Sequence, residues 1–306
     1  MANAPIALFV YSRPWHTRQT IEALKKNDLS EDSELFIFSD APKSASEATP
    51  VQDVRDYIRT VKGFRTVKVI EREENYGLAR SIVEGVTRLC NEYGSVIVLE
   101  DDLVSSPHFL RFMNNALHQY SEAEKVMHIS GYAYPVHPPV EGDTFFFRVP
   151  LCWGWATWSS SWKFFEKDLN VIQAFTKRDR FEFNIEDSYR KFWEQLELNR
   201  AGSLNSWFIF WYASVFLHDG LCLYPTQSLI DNIGHDGSGI NCGTNDLFRV
   251  SLADKPVPVK TIPVTETRAV LTAHKKYFRK IVPPLINRIT GKIWRKFMRG
   301  LNALRS

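Results

Sequence analysis

The sequence lacks any apolar run approaching the roughly 18–20 residues that a membrane-spanning helix requires. Its first apolar stretch, Pro5–Tyr11, is short and has no basic segment before it, so no secretory signal is expected and the chain reads as cytoplasmic. Cysteine is scarce. Cys90, Cys152, Cys222 and Cys242 lie far apart, and none forms a C-x-x-C pair. They read as reduced thiols, which argues against a disulfide framework or a cysteine-ligated zinc site. Internal repeats and low-complexity segments are absent. The body also lacks an excess of positive charge. All ten basic residues of 274–306 stand without a single Asp or Glu, which leaves residues 1–273 with 28 basic and 35 acidic side chains, a formal −7. An acidic body argues against nucleic acid as a partner, because duplex binding rests on a basic face.

What is present is a 306-residue chain with 21 Phe and nine Trp, enough for a large core. The first 130 residues alternate short apolar runs with helix-like patterns. Ile6–Tyr11, Glu34–Phe38, Thr66–Ile70, Ser95–Leu99 and Val126–Ile129 read as strands. Thr17–Lys26, Val51–Val61, Leu78–Tyr93 and Phe109–Tyr120 read as helices. That alternation predicts an α/β fold, a mostly parallel sheet flanked by helices. Past residue 131 the pattern changes. Gly131–Asp143 is a Pro- and Gly-containing loop, Phe145–Val149 and Leu221–Tyr224 are strands, and helices fall near 187–199 and 205–218. Ligands of such sheets bind beyond the carboxyl ends of the strands. There the sequence places Ser12-Arg13, Ser39-Asp40 and Glu100-Asp101-Asp102.

The acidic triplet directly follows Val96-Ile-Val-Leu99, which should be buried. Carboxylates crowded beside a core strand repel one another and are costly to desolvate. A divalent cation removes that penalty. Mg²⁺ and Mn²⁺ take oxygen ligands, often one or two protein carboxylates completed by substrate phosphates and water. The triplet also suits a plainer role capping the helix that follows Ser105-Ser106-Pro107.

Phe9-Val-Tyr-Ser-Arg-Pro14, Leu35-Phe-Ile-Phe-Ser-Asp40, Glu74-Asn-Tyr-Gly-Leu-Ala-Arg80, Val98-Leu-Glu-Asp-Asp-Leu103, Trp153-Gly-Trp-Ala-Thr-Trp158 and Asn232-Ile-Gly-His-Asp-Gly-Ser-Gly239 occur in this order. Together they resemble GT-A-fold nucleotide-sugar glycosyltransferases, the N-acetylglucosaminyltransferase I-like group and related bacterial family 2-like enzymes. The resemblance implies a Rossmann-like GT-A domain, with residues 1–130 as the donor-binding half and 131–273 as the acceptor-binding half. It implies Mn²⁺ or Mg²⁺ as cofactor, a nucleoside-diphosphate sugar as donor, and a glycan or lipid-linked acceptor. By position, Asp102 matches the metal ligand, Glu100 and Asp101 match contacts to ribose and nucleotide, and Asp40 matches the acid at the base edge. Arg13 matches a basic residue near the nucleotide, and Asn75, Gly77 and Arg80 fall at the donor-pocket wall.

One expected feature is missing. Inverting members of that group place a carboxylate base near the helix after the aromatic segment, and positions 205 and 208 hold Asn205 and Phe208. An amide cannot usefully accept a proton. The remaining candidates for acid–base work are Asp231 and Asp236, with His235 as a second metal ligand or a polar loop residue. Trp153, Trp155 and Trp158 suit either stacking on a sugar ring or core packing. A sugar-nucleotide nucleotidyltransferase is the alternative enzyme, although Tyr11-Ser-Arg-Pro14 is no Gly-rich phosphate loop. An inactive binding module on the same fold is the non-enzymatic alternative. In the basic tail, 274–306, Leu285, Ile289, Ile293, Phe297, Leu301 and Leu304 recur at helical spacing. That pattern predicts an amphipathic helix on an anionic membrane surface, or one docked on the acidic body.

Overall fold

The computed structural model describes residues 2–237 and 247–281. The elements run β1 (Ile6–Val10), α1 (Pro14–Lys25), β2 (Glu34–Ser39), α2 (Ala48–Ile58), β3 (Thr66–Glu71), α3 (Gly77–Tyr93), β4 (Ser95–Glu100), β5 (Leu103–Ser105), α4 (Phe109–Gln119) and β6 (Val126–Ser130). There follow β7 (Thr144–Phe147), β8 (Trp155–Trp158), α5 (Ser159–Trp162), α6 (Lys177–Phe183), α7 (Lys191–Arg200), α8 (Phe208–Leu217), β9 (Leu221–Pro225), β10 (Ile230–Asn232) and α9 (Arg268–Ile281). Eight strands form one sheet in the order β3-β2-β1-β4-β8-β6-β9-β7, and β5 pairs with β10 in a small antiparallel ribbon. The architecture is α/β with a mixed, mostly parallel sheet, as the alternation in the sequence predicts. Only β8 and β7 run against the rest.

The strands at the centre explain their own position. Every residue of β1 and all but the end residues of β4 are buried, the pattern of a strand covered on both faces. β3, at the edge, carries Lys68 and is only partly buried, which blunts an otherwise open ladder. Helix α3 turns its apolar stripe Ile82, Val86 and Leu89 onto the sheet and stops at Gly94, whose positive φ of 81° a β-carbon would strain. Gly85 lies against the ring of Phe9, so that an added Cβ would come within 2.7 Å of it.

Within the Trp segment, Trp155 and Trp158 take the core-packing alternative. Trp155–Trp158 is a strand inserted between β4 and β6. Trp155 is fully buried against Trp207, Trp211 and His128. His128 Nδ1 accepts the Trp211 indole N–H at 3.2 Å, so the neutral ring carries its proton on Nε2, which meets the Leu151 carbonyl at 3.1 Å. Burial pushes the pKa of His128 down to about 3.

The charge boundary at 273/274 falls inside α9, whose Val270, Leu271, His274 and Phe278 are buried against the body. The amphipathic pattern from Val282 onward lies outside the described residues. Among those described, no helix is long and apolar enough to cross a membrane.

Candidate functional site

The strand order 3-2-1-4 turns back at β1. The chain leaves β1 toward β2 on one side, while β4 pairs with β1 on the other. The crevice between the carboxyl ends of β1 and β4 is therefore the topological switch point, where open α/β sheets bind their ligands. Arg13, which precedes α1, and Glu100-Asp101-Asp102, which ends β4, meet there. Pro14 at the first position of α1 fixes the turn out of β1.

Arg13 Nη2 donates to Asp102 Oδ2 at 2.8 Å and also to Asp101 Oδ1. Asp101 and Asp102 are buried, and Arg13 is mostly so. Thr20 Oγ1 donates to the Asp101 carbonyl at 2.8 Å. One guanidinium faces three carboxyl groups. Loss of hydration, then the charges of Asp102 and Asp101, raise the pKa of Glu100 to about 8, with Arg13 opposing. Loss of hydration likewise raises Asp101, against the pull of Arg13. The two carboxylates hold the Arg13 guanidinium above its ordinary range despite its burial.

A second segment closes over the cluster. The β5–β10 ladder sets Asp231 opposite Val104 and Asn232 opposite Leu103, and Ile233 N–H donates to the Asp102 carbonyl at 2.9 Å. Gly234 then lies directly on Asp102, where an added Cβ would fall 2.1 Å from Oδ2. Two residues on, Asp236 Oδ2 meets His16 Nε2 of α1 at 3.0 Å. The Asp236 side chain is 45% exposed, so it is the carboxylate of this edge most open to a substrate. Asp231 is half-buried, and burial raises its pKa. His235 turns the other way. Its ring stacks on Phe248 at 5.3 Å and meets the Trp153 ring at 5.4 Å.

Asp40 is buried and committed locally. Its Oδ1 accepts the Tyr76 N–H at 2.8 Å and the Ala41 N–H at 3.0 Å. Its Oδ2 accepts the Gly77 N–H at 2.8 Å and the Asn75 amide at 3.2 Å. It thereby clasps the start of α3, a favourable place for negative charge. Arg80 does not join the cluster. Its guanidinium lies 3.6 Å from the centroid of the Tyr76 ring and 3.4 Å from Glu74. Asn205 accepts from Lys167 in a groove of about 560 Å³ along α3, which holds none of the acidic triplet.

The structure thus brings Arg13, Asp101, Asp102 and Asp236 together, with Asp231 on the ribbon beneath. It leaves Arg80, Asn205 and His235 elsewhere. Sequence reasoning missed His16, Thr20 and Gly234. His16 and Thr20 lie on the helix that begins at Arg13, on the turns facing the strand ends, so helical spacing from Arg13 was the available signal.

Whether the cluster fits a divalent cation turns on its donors and its charge. Asp101 and Asp102 supply hard oxygens, and the carboxyl groups outnumber the guanidinium, which favours Mg²⁺ or Mn²⁺. Asp102 would hold such an ion once Arg13 moved off its Oδ2. As arranged, no group of three or more His, Cys, Asp or Glu stands ready to hold a metal among the described residues, and His235 does not face Asp102.

No family model matches the chain, and no curated protein sequence matches it. Similar solved structures include a mannosyltransferase, PcManGT of Pyrobaculum calidifontis, in complex with GDP-Man and Mn²⁺, at 10% identity and a TM-score of 0.35 over 71% of this chain and 70% of that one. They also include TarS of S. aureus, at 10% identity and a TM-score of 0.40, where 74% of this chain spans 36% of the longer protein.

Proposed function

We propose that the chain is a metal-dependent glycosyltransferase of the GT-A type, moving a sugar from a nucleoside-diphosphate donor to a glycan or lipid-linked acceptor. The observation that carries the reading is the Arg13–Asp101–Asp102 cluster in the crevice between β1 and β4. Asp102 would hold Mn²⁺ or Mg²⁺, which supplies positive charge to offset that growing on the departing diphosphate. Arg13, bonded to both Asp101 and Asp102, sets the position of Asp102, and Glu100, next in the chain, would contact the nucleotide. Asp236, steadied by His16, is the carboxylate placed to accept the proton of an acceptor hydroxyl. The family resemblance adds a uridine nucleotide, a bacterial surface polysaccharide as product, and work at the inner face of the cell membrane. The basic tail supports that last point by its composition alone.

A panel of nucleotide sugars with Mn²⁺, read by thermal shift, tests the reading. A ligand at a hundred times its dissociation constant adds about 2.7 kcal/mol to stability. A rise in melting temperature with one nucleotide class, lost in Asp102→Ala, supports the assignment. No rise with any nucleotide would overturn it.

A second reading also has an observation behind it. Arg13 already pairs with both Asp101 and Asp102, and position 205 carries Asn, so the fold also suits an inactive nucleotide-binding module. Nucleotide binding without transfer or donor hydrolysis would favour that reading.

A further inference from the structure

The aromatic segment after the switch point divides sharply. Trp155 and Trp158 belong to the core, but Trp153 is only partly buried. It borders a separate cavity of about 160 Å³ in the later half of the chain, shared with Tyr189, Gln195, Phe208 and Phe248. These five are all partly exposed, unlike Tyr134, Leu151, Phe192 and Phe278, which are buried at its wall. Trp153 itself is held by edge contacts from three rings. Tyr132 lies at 4.8 Å and 86°, Phe248 at 5.5 Å and 85°, and His235 at 5.4 Å and 74°. The Tyr132 hydroxyl donates to the Phe248 carbonyl at 2.8 Å, which ties that wall down. The platform is set before any ligand arrives, which lowers the ordering cost of binding.

Resting on the donor-site reading above, we infer that this cavity receives one pyranose ring of the acceptor, stacked against Trp153. Three observations select that occupant. Pockets for drug-sized ligands measure roughly 300–1,000 Å³, so 160 Å³ matches one ring better than a larger ligand. The Gln195 amide, set among ring faces, would be left unsatisfied by a hydrocarbon but suits a sugar hydroxyl. One chain segment also links the wall of the cavity to the donor edge. His235 touches both Trp153 and Phe248, and its neighbours Gly234 and Asp236 contact Asp102 and His16. A ring seated here would direct its neighbouring sugar toward Asp236.

Saturation-transfer NMR with methyl glycosides of glucose, galactose, mannose and N-acetylglucosamine tests this without metal or nucleotide. The expected result is saturation of the ring C–H protons by at least one glycoside at about 50 mM or below, the weak range for a single ring. Trp153→Ala should weaken that signal about tenfold, as loss of a buried aromatic anchor does, and Trp153→Phe should restore part of it. Gln195→Ala should lower discrimination among the glycosides while near-ultraviolet circular dichroism stays unchanged. Phe208→Ala gives an independent reading should Trp153→Ala fail to fold. No saturation with any glycoside would overturn the inference. Equal response to cyclohexanol, unaffected by Gln195→Ala, would overturn it too. Nucleotide binding with no glycoside binding sinks the cavity assignment alone, and glycoside binding with no nucleotide binding sinks the donor site alone.

Discussion

Gly234 sits on Asp102 so closely that the smallest side chain would overlap its carboxylate, at 2.1 Å from Oδ2. The atom in the way is the free end of a short side chain, so it can swing aside. Gly234→Ala should displace that carboxylate, break the Arg13–Asp102 hydrogen bond and cost about 1–3 kcal/mol, the range for a hydrogen bond lost at a buried charged group. It should also abolish the nucleotide–Mn²⁺ thermal shift. Unchanged nucleotide binding in Gly234→Ala would separate Asp102 from the site.

Arg13 compensates two buried carboxylates at once. Removing one partner of a buried ion pair costs about 3–5 kcal/mol, because the charge left behind has lost its water. Arg13→Met should fall in that range by urea denaturation. Asp102→Asn in the Arg13→Met background should recover part of the loss, a coupling that a double-mutant cycle measures. If Asp102 is a metal ligand, Mn²⁺ should stabilise Arg13→Met more than the parent chain. Equal effects of Mn²⁺ on both would place the ion elsewhere.

The Asp40 clasp makes a separable forecast. Its two oxygens accept two backbone N–H groups of the segment that opens α3, besides the Asn75 amide and its neighbour Ala41. Hydrogen bonds to a charged group contribute about 1.5–3 kcal/mol, so Asp40→Ala should lose roughly that much stability whether or not nucleotide is present. If stability is kept and only nucleotide affinity falls, Asp40 reads the base as the family resemblance implies.

Two buried histidines set a pH limit. Burial lowers His128 to about 3 and His274 to about 4. His274 donates from Nδ1 to the Val270 carbonyl at 2.8 Å, and its buried Nε2 has no hydrogen-bond partner among the described residues, so a second ring proton would be stranded. Unfolded histidine titrates near 6.5, so the unfolded chain binds protons first as pH falls. Stability is then complete above about pH 6.5 and declines below it, by about 1.4 kcal/mol per pH unit for each ring, until the folded rings titrate. His274→Phe should roughly halve that slope between about pH 6.5 and 4 in urea titrations. An unchanged slope would remove His274 from the account.

The order of elements, the parallel start of the sheet and the meeting of Arg13 with Asp101 and Asp102 were legible because each rests on local pattern. Buried strands announce themselves by apolar runs, and the strand-end rule then locates the residues just past them. β8 was not legible. Trp155-Ala-Thr-Trp158 is buried on both faces, so it shows no alternation, and its pairing partners β4 and β6 lie far off in sequence. The commitment of Asp40 to the backbone of Tyr76 and Gly77 escaped notice for the same reason, since it spans up to 37 residues. The turning away of His235 depended on Phe248 and Trp153, which only the folded chain brings beside it.

The insertion of β8 also bears on how the chain is made. Until residues 155–158 leave the ribosome, one side of β4 presents an unpaired ladder of apolar residues beside the finished β1–β3 sheet. A nascent chain paused near residue 130 would carry that open edge and be prone to join another copy. The two halves of the sequence are thus bound to one folding event, and a gene cut between them should yield two insoluble products, even if their co-expression rebuilds a working whole.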